Sequence, residues 1–312
     1  MKKIHRVIID TDPGVDDSAA IALSLFDEQM KIELITTVSG NVGIDMTTKN
    51  ALHLLEKFNR TDIPLARGAA KPMMREPKDA TYIHQKMGMG GYIPPEDVST
   101  LPIEDDAVEA MYKTILKHKN DISIIALGPH TNLGYLLTKY PKVKSMICHI
   151  YCEGCSVNGY EDDKKWSEHI SFNVSSDPEA FKIVIESGIP ITIVPSKMGR
   201  ELAHLTEQQI VDMGKINDVG KFLSTMYSGY WEREYTDKRI ATNDTCAVLI
   251  ARDPELFTTD KVLIDVDTDK QPGKTTIKKV KDSNINLVVG IDKPAFLDFY
   301  FGAIKKLDRF KF

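Results

Sequence analysis

Four carboxylates fall within the eight residues Asp10-Thr11-Asp12-Pro13-Gly14-Val15-Asp16-Asp17, directly after the apolar run Val7-Ile8-Ile9. An apolar run ending in an acidic turn reads as a buried strand that delivers charge to the mouth of a sheet. Ser18-Ala19-Ala20-Ile21-Ala22-Leu23 then continues as a helix. Two acidic residues at a helix start would be ordinary, since the dipole favours negative charge there. That accounts for Asp16 and Asp17 and leaves Asp10 and Asp12 unexplained. Crowded carboxylates raise one another's pKa unless a cation sits among them. Oxygen-only ligands point to a hard cation, Ca²⁺ or Mg²⁺, rather than zinc.

Beyond this loop, short apolar runs alternate with helical patterns. The runs are 7–10, 32–38, 63–66, 122–127, 145–152 and 189–194, and the helices between them 16–26, 45–58, 105–119, 131–139 and 177–187. Such alternation predicts βαβ units in an α/β fold: an open, mostly parallel twisted sheet flanked by helices. Its strands would be buried on both faces, with functional residues at their carboxyl ends. Near the end, 262–266 and 275–280 predict a hairpin, 286–291 a last strand and 294–307 a terminal helix. Gly273-Lys274-Thr275 is not a phosphate loop: its first glycine would fall at Thr268, and a strand follows where a helix is needed.

Two segments break the rhythm. Residues 71–100 are rich in Met, Gly and Pro around Gly88-Met89-Gly90-Gly91, which suits a movable lid or an ordinary surface loop. Residues 223–243 begin as a helix with Tyr227, Tyr230, Trp231 and Tyr235, aromatics suited to a core or to a ligand flap. Without a linker, repeat or low-complexity tract, one domain over 1–312 is expected.

A net charge of −5 gives the chain no global attraction to nucleic acid or anionic membranes. No apolar stretch reaches the length of a membrane span, and Asp10 interrupts the start too early for a signal-peptide core. Cys152-Glu153-Gly154-Cys155 has the spacing of a redox pair or half a zinc site, but a second such pair is missing from the sequence. Free thiols at a strand end, in a reducing cytoplasm, are the expected state.

The acidic motif resembles the signature of the nucleoside hydrolases of inosine–uridine-preferring type. The resemblance runs the length of the chain in order: Val38-Ser39-Gly40-Asn41-Val42, Ala66-Arg67-Gly68-Ala69, Ala126-Leu127-Gly128-Pro129-His130-Thr131-Asn132-Leu133, Phe172-Asn173-Val174 with Asp177-Pro178-Glu179-Ala180, and Asn243-Asp244 with Ala247-Val248. It implies Ca²⁺-dependent hydrolysis of the N-glycosidic bond of a small ribonucleoside. The implied metal ligands are Asp12, Asp17, the Leu127 backbone carbonyl and Asp244. Asp12 is the implied general base, and Asp16, Asn41, Asn173 and Asp244 the ribose ligands. A homo-oligomer, dimer or tetramer, is also implied.

Three departures affect the sugar and the leaving base. Many relatives carry His before the late Asp; Asn243 stands there, an amide that cannot protonate a base but can donate a hydrogen bond, and it stays a catalytic candidate. His84, at a lid-loop position, becomes the candidate to assist departure, with Tyr230 and Trp231 as base contacts. Relatives usually have Glu before the Phe-Asn pair, reaching the ribose 5′-hydroxyl; here it is Ser171, with Glu168 nearby as a substrate-binding candidate. His130 replaces an apolar residue. Two other readings stay open: a non-catalytic nucleoside binder, motivated by the loss of that His, and a phosphatase using Asp10 as nucleophile in a DxD loop.

Overall fold

The computed structural model describes residues 4–157, 160, 169–234 and 239–312, with 230–234 described by their backbone. In chain order the elements that build the site begin with β1 (His5–Thr11), α1 (Val15–Ser24), β2 (Met30–Thr37), α2 (Ile44–Lys57), β3 (Leu65–Arg67) and the single turn α3 (Thr81–His84). They continue with α4 (Ala107–Lys117), β4 (Ser123–Ala126), α5 (Thr131–Lys139), β5 (His149–Glu153), α6 (Phe172–Ser176), α7 (Pro178–Ile185) and β6 (Ile191–Val194). After a π-helical turn, Met198–Leu202, come β7 (Leu205–Thr206), α8 (Glu207–Met213), α9 (Asp218–Glu234), β8 (Arg239–Ile240) and α10 (Asn243–Arg252). The chain closes with β9 (Phe257–Val266), β10 (Thr275–Lys279), β11 (Ile285–Ile291) and α11 (Lys293–Lys306).

Among the described residues nine strands form one sheet in the order β10-β9-β11-β6-β5-β4-β1-β2-β3. Neighbours from β3 to β11 are parallel; β9 is antiparallel to β11, and β10 to β9. The predicted hairpin is β9–β10, in register at Val266 and Thr275. Strand order reverses between β1 and β4, and at such a switch point the loops part to leave a crevice at the carboxyl ends. The acidic loop leaves β1 at that place.

The central strands are apolar on both faces because helices cover both. Val7 and Ile9 pack into a layer with α1, α9, α10 and α11, whereas Ile8 faces the layer of α4, α5 and α7. This sandwich holds the β1 backbone rigidly, so Asp10 and Asp12 have fixed positions.

Two local features differ from the sequence reading, and the core reading of Tyr227 holds. The run 145–152 is a strand only from His149, because residues 141–145 form a 3₁₀ turn with Pro141 in its first position. The β7–β8 ribbon of two residues each is too short to leave a periodic signal. Tyr227 is core, fully buried with its hydroxyl 3.0 Å from that of Tyr300.

Candidate active site

Asp10 lies behind the crevice. Its Oδ1 accepts from Thr36 Oγ1 at 2.7 Å and from Asn132 Nδ2 at 2.8 Å. Asn132 Nδ2 also donates to the Thr37 carbonyl at 2.9 Å, so this pair ties β1, β2 and α5 together. Burial lifts the Asp10 carboxyl to about 7.

Asp12 follows β1 and accepts on Oδ2 from the Asn41 backbone N–H at 2.7 Å. Its Oδ1 is buried without a hydrogen-bond partner. Two glycines permit this packing. A Cβ at Gly40 would stand 2.0 Å from Asp12 Oδ2, and one at Gly128 would stand 2.5 Å from Oδ1. Asp17, in the first turn of α1, locks the Pro13-Gly14 bend. It accepts from Thr11 Oγ1 at 2.6 Å, Gly14 N at 3.1 Å and Asn41 Nδ2 at 3.0 Å.

Asp244 lies in the first turn of α10, 4% exposed. Ligand oxygens of Asp16, Asp17 and Asp244 lie within 4.8 Å of one another. Burial and mutual repulsion raise Asp16 to about 7 and lift Asp12 and Asp244 well above the carboxylate range. This all-oxygen set, with Asp12 Oδ1 unpartnered beside it, fits a hard divalent cation.

The opposite wall comes from β4, β5 and α6. Asn173 Nδ2 donates to the Leu127 carbonyl at 2.6 Å and to Glu153 Oε2 at 2.8 Å. A carbonyl oxygen carries two lone pairs, so that of Leu127 retains one for a ligand. Asn173 likewise keeps its amide oxygen as an acceptor. Ser196 Oγ donates to Glu153 Oε1 at 3.0 Å, and burial lifts Glu153 to about 8.

His84 is 5% exposed at the end of α3, and its Nδ1 accepts from the Val15 N–H at 3.1 Å. Burial lowers it to about 3, so the ring is neutral and carries its proton on Nε2. The segment around it is anchored. Ala80 N–H donates to the Asn41 carbonyl, Asn50 Nδ2 to that of Met87, and Gly91 N–H to that of Met226 on α9. Asn243 Oδ1 accepts from Gly199 N–H at 2.6 Å, which leaves its amide nitrogen for a ligand.

One cavity of about 170 Å³ is lined by Asp16, Asp17, Asn41, His84, Leu127, Asn173, Asn243 and Asp244. The structure thus gathers candidates from six separate segments of the chain. Asp12 is not in that lining nor in the convergent group of Asp16, Asp17 and Asp244; it packs against Gly40 and Gly128. Glu168 lies outside the described residues, as do the side chains of Tyr230 and Trp231. His130 is wholly buried against Phe181, away from the cavity lining, consistent with a position apolar in relatives.

Sequence reasoning missed Glu153, Ser196, His169 and Arg200, all in the lining. For Glu153 a signal existed. It ends an apolar strand as Asp10 does, but the reading weighed only the flanking thiols. Cys152 and Cys155 are free and packed into the apolar core, as expected.

Comparison with known proteins places the chain. The family model for inosine-uridine preferring nucleoside hydrolase matches residues 7–298. The non-specific ribonucleoside hydrolase RihC of Shigella boydii is 32% identical over 296 residues, 93% of this chain and 95% of that protein. The RihC of Salmonella paratyphi B is 33% identical over 297 residues, 93% and 94% of the two chains. Among solved structures, the purine-preferring ribonucleoside hydrolase of Gardnerella vaginalis superposes with a TM-score of 0.88 at 25% identity, covering 98% of this chain and all of that one. A plant nucleoside hydrolase gives 0.87 at 27% identity, covering 96% and 99%. The chain belongs to the inosine-uridine preferring nucleoside hydrolase family, enzymes that act on N-glycosyl compounds.

Proposed function

We propose that this protein hydrolyses the N-glycosidic bond of ribonucleosides to ribose and free base, with Ca²⁺ as its cofactor. The observation that carries the reading is the convergence of Asp16, Asp17 and Asp244 at the carboxyl ends of the strands, with the unpartnered Asp12 oxygen beside them. Asp12, Asp17, the Leu127 carbonyl and Asp244 would hold the cation, which when bound supplies a water acidified toward neutrality.

Asp12 Oδ1 takes the proton of the attacking water. Asp16, Asn41, Asn173 and Asp244 hold the ribose hydroxyls. As the C1′–N bond breaks, positive charge develops on the sugar, and the ring of carboxylates stabilises it. The electron pair of that bond moves onto the base. His84, neutral and protonated on Nε2, assists by donating a hydrogen bond rather than a full proton. The Asn243 amide nitrogen is a second donor on the same wall. Asp10 is fully buried and already bonded to Thr36 and Asn132, so it is unsuited to the nucleophile's role in a phosphatase.

Free ribose appearing from a ribonucleoside with Ca²⁺, and not with chelator, tests this reading. Nucleoside binding without any ribose release would favour the non-catalytic reading that Asn243 motivates. For His84→Ala, the expected loss in kcat is about 10²-fold on inosine or uridine and under about 10-fold on p-nitrophenyl riboside, whose leaving group needs little help. Equal losses on both would remove His84 from the departing base. Because His84 is neutral from about pH 3 upward, it adds no acid limb to the pH–rate profile near pH 6. A limb there that vanished in His84→Asn would contradict its assigned state.

A further inference from the structure

We propose that Arg200 takes up the negative charge of the departing base, in place of an acid that would protonate it. The proposal rests on the hydrolase reading above. On that reading the electron pair of the C1′–N bond moves onto the base, and the two donors assigned there are neutral. Burial lowers His84 to about 3, and Asn243 is an amide, so neither delivers a full proton. A base that leaves unprotonated carries a negative charge, and a fixed cation stabilises that charge better than a neutral donor does. Among the described residues lining the cavity, Arg200 is the one arginine or lysine.

The fold sets Arg200 at the Asn243 end of that cavity. It lies in the π-helical turn Met198–Leu202, and turns of this kind recur at functional sites. The turn is built onto the start of α10. Gly199 N–H donates to Asn243 Oδ1 at 2.6 Å, and a Cβ on Gly199 would stand 2.2 Å from that oxygen. Thr242 Oγ1 donates to the Ala203 carbonyl at 2.8 Å, and Glu201 pairs with Arg239 of β8 at 2.6 Å. The backbone on both sides of Arg200 is thus fixed against the residue whose amide is assigned to the base. Arg200 is half-buried and has a partner within the protein. Its guanidinium carries five N–H donors, so an engaged side chain still presents others to a ligand. In the reaction the water oxygen bonds to C1′, the water's proton passes to Asp12 and then to solvent, and the C1′–N electron pair stays with the base. The base anion rests against Arg200 and takes its own proton from solvent on release.

The test is steady-state kinetics of wild type, R200A and R200Q on inosine, uridine and p-nitrophenyl riboside, with and without added guanidinium ion. R200A is expected to lose about 10²-fold in kcat/KM on the two nucleosides and under about 10-fold on p-nitrophenyl riboside, whose leaving anion is stable unaided. Guanidinium at a non-denaturing concentration should raise the nucleoside rate of R200A by about tenfold or more and leave wild type unchanged. R200Q keeps the length of the side chain and loses its charge, so its losses should follow those of R200A. If R200A does not fold, R200Q carries the same comparison between substrates. Equal losses on all three substrates, without rescue, would overturn the proposal and make Arg200 a structural residue. Unchanged turnover of the nucleosides by both variants would overturn it as well. Ribose release from none of the substrates by wild type would instead overturn the hydrolase reading, and this proposal with it.

Discussion

Replacing Asp12 by Asn is expected to lower kcat by about 10³–10⁴-fold while the protein stays folded. On the proposed mechanism the loss is large because Asp12 is both a cation ligand and the acceptor of the water's proton. The fold should survive because Asn still offers an oxygen to the Asn41 N–H, now at 2.7 Å from Asp12 Oδ2. The change also removes a buried charge that burial and Asp17 disfavour. Unfolding temperature without Ca²⁺ should therefore not fall. Activity within tenfold of wild type would refute the assignment, and a collapsed fold would show that Asp12 is structural.

Removing the cation is the second large effect. Chelation is expected to lower turnover by about 10³-fold or more, and added Ca²⁺ to restore it. The same site should show in stability, with a sign that depends on pH. Asp10 and Asp16 are raised to about 7 and Glu153 to about 8, by burial first of all. Groups raised in the folded state stabilise it fully below their unfolded values, near 4, and that contribution is lost as pH rises through 7 to 8. The cation-free protein should thus melt lower at pH 8 than at pH 6.5.

The buried histidines act the other way. His53 and His130, lowered to about 4, and His84, lowered to about 3, cost stability as pH falls below about 6.5, where the unfolded chain takes up protons. Measuring between pH 6.5 and 8 keeps their window apart. Ca²⁺ at a hundred times its Kd should stabilise by about 2.7 kcal/mol, roughly 5 °C. At one fixed Ca²⁺ concentration the gain should be larger at pH 8, since the ligands must be deprotonated and Kd falls. A gain independent of pH, or none, would contradict a cation among these carboxylates.

The strands around the crevice were legible because their apolar runs sit in the middle of the sheet. Val7-Ile8-Ile9 has helices on both faces and no polar alternation to confuse the reading. The acidic loop was legible too, since so many carboxylates in one turn have few structural explanations. Other parts of the site were not. The Leu127 contribution is a backbone carbonyl, and its side chain says only that a strand is buried there. Asn173 joins Leu127 to Glu153 through a single nitrogen, a relation between residues far apart in the chain. Pattern reading ranks residue types, and it ranked the thiols around Glu153 above the carboxylate between them. The ring state of His84 depends on the Val15 N–H brought to it by folding. Burial keeps the ring neutral, and that contact puts its proton on Nε2, so a candidate acid becomes a neutral donor.

The most direct test of the central claim is a ribose-release assay on purine and pyrimidine ribonucleosides, each run with Ca²⁺ and with chelator. The account predicts free ribose and free base in equal amounts from at least one nucleoside with Ca²⁺, and loss of that release when the cation is removed. Ribose release undiminished by chelator, or no release from any nucleoside with Ca²⁺ present, would contradict it.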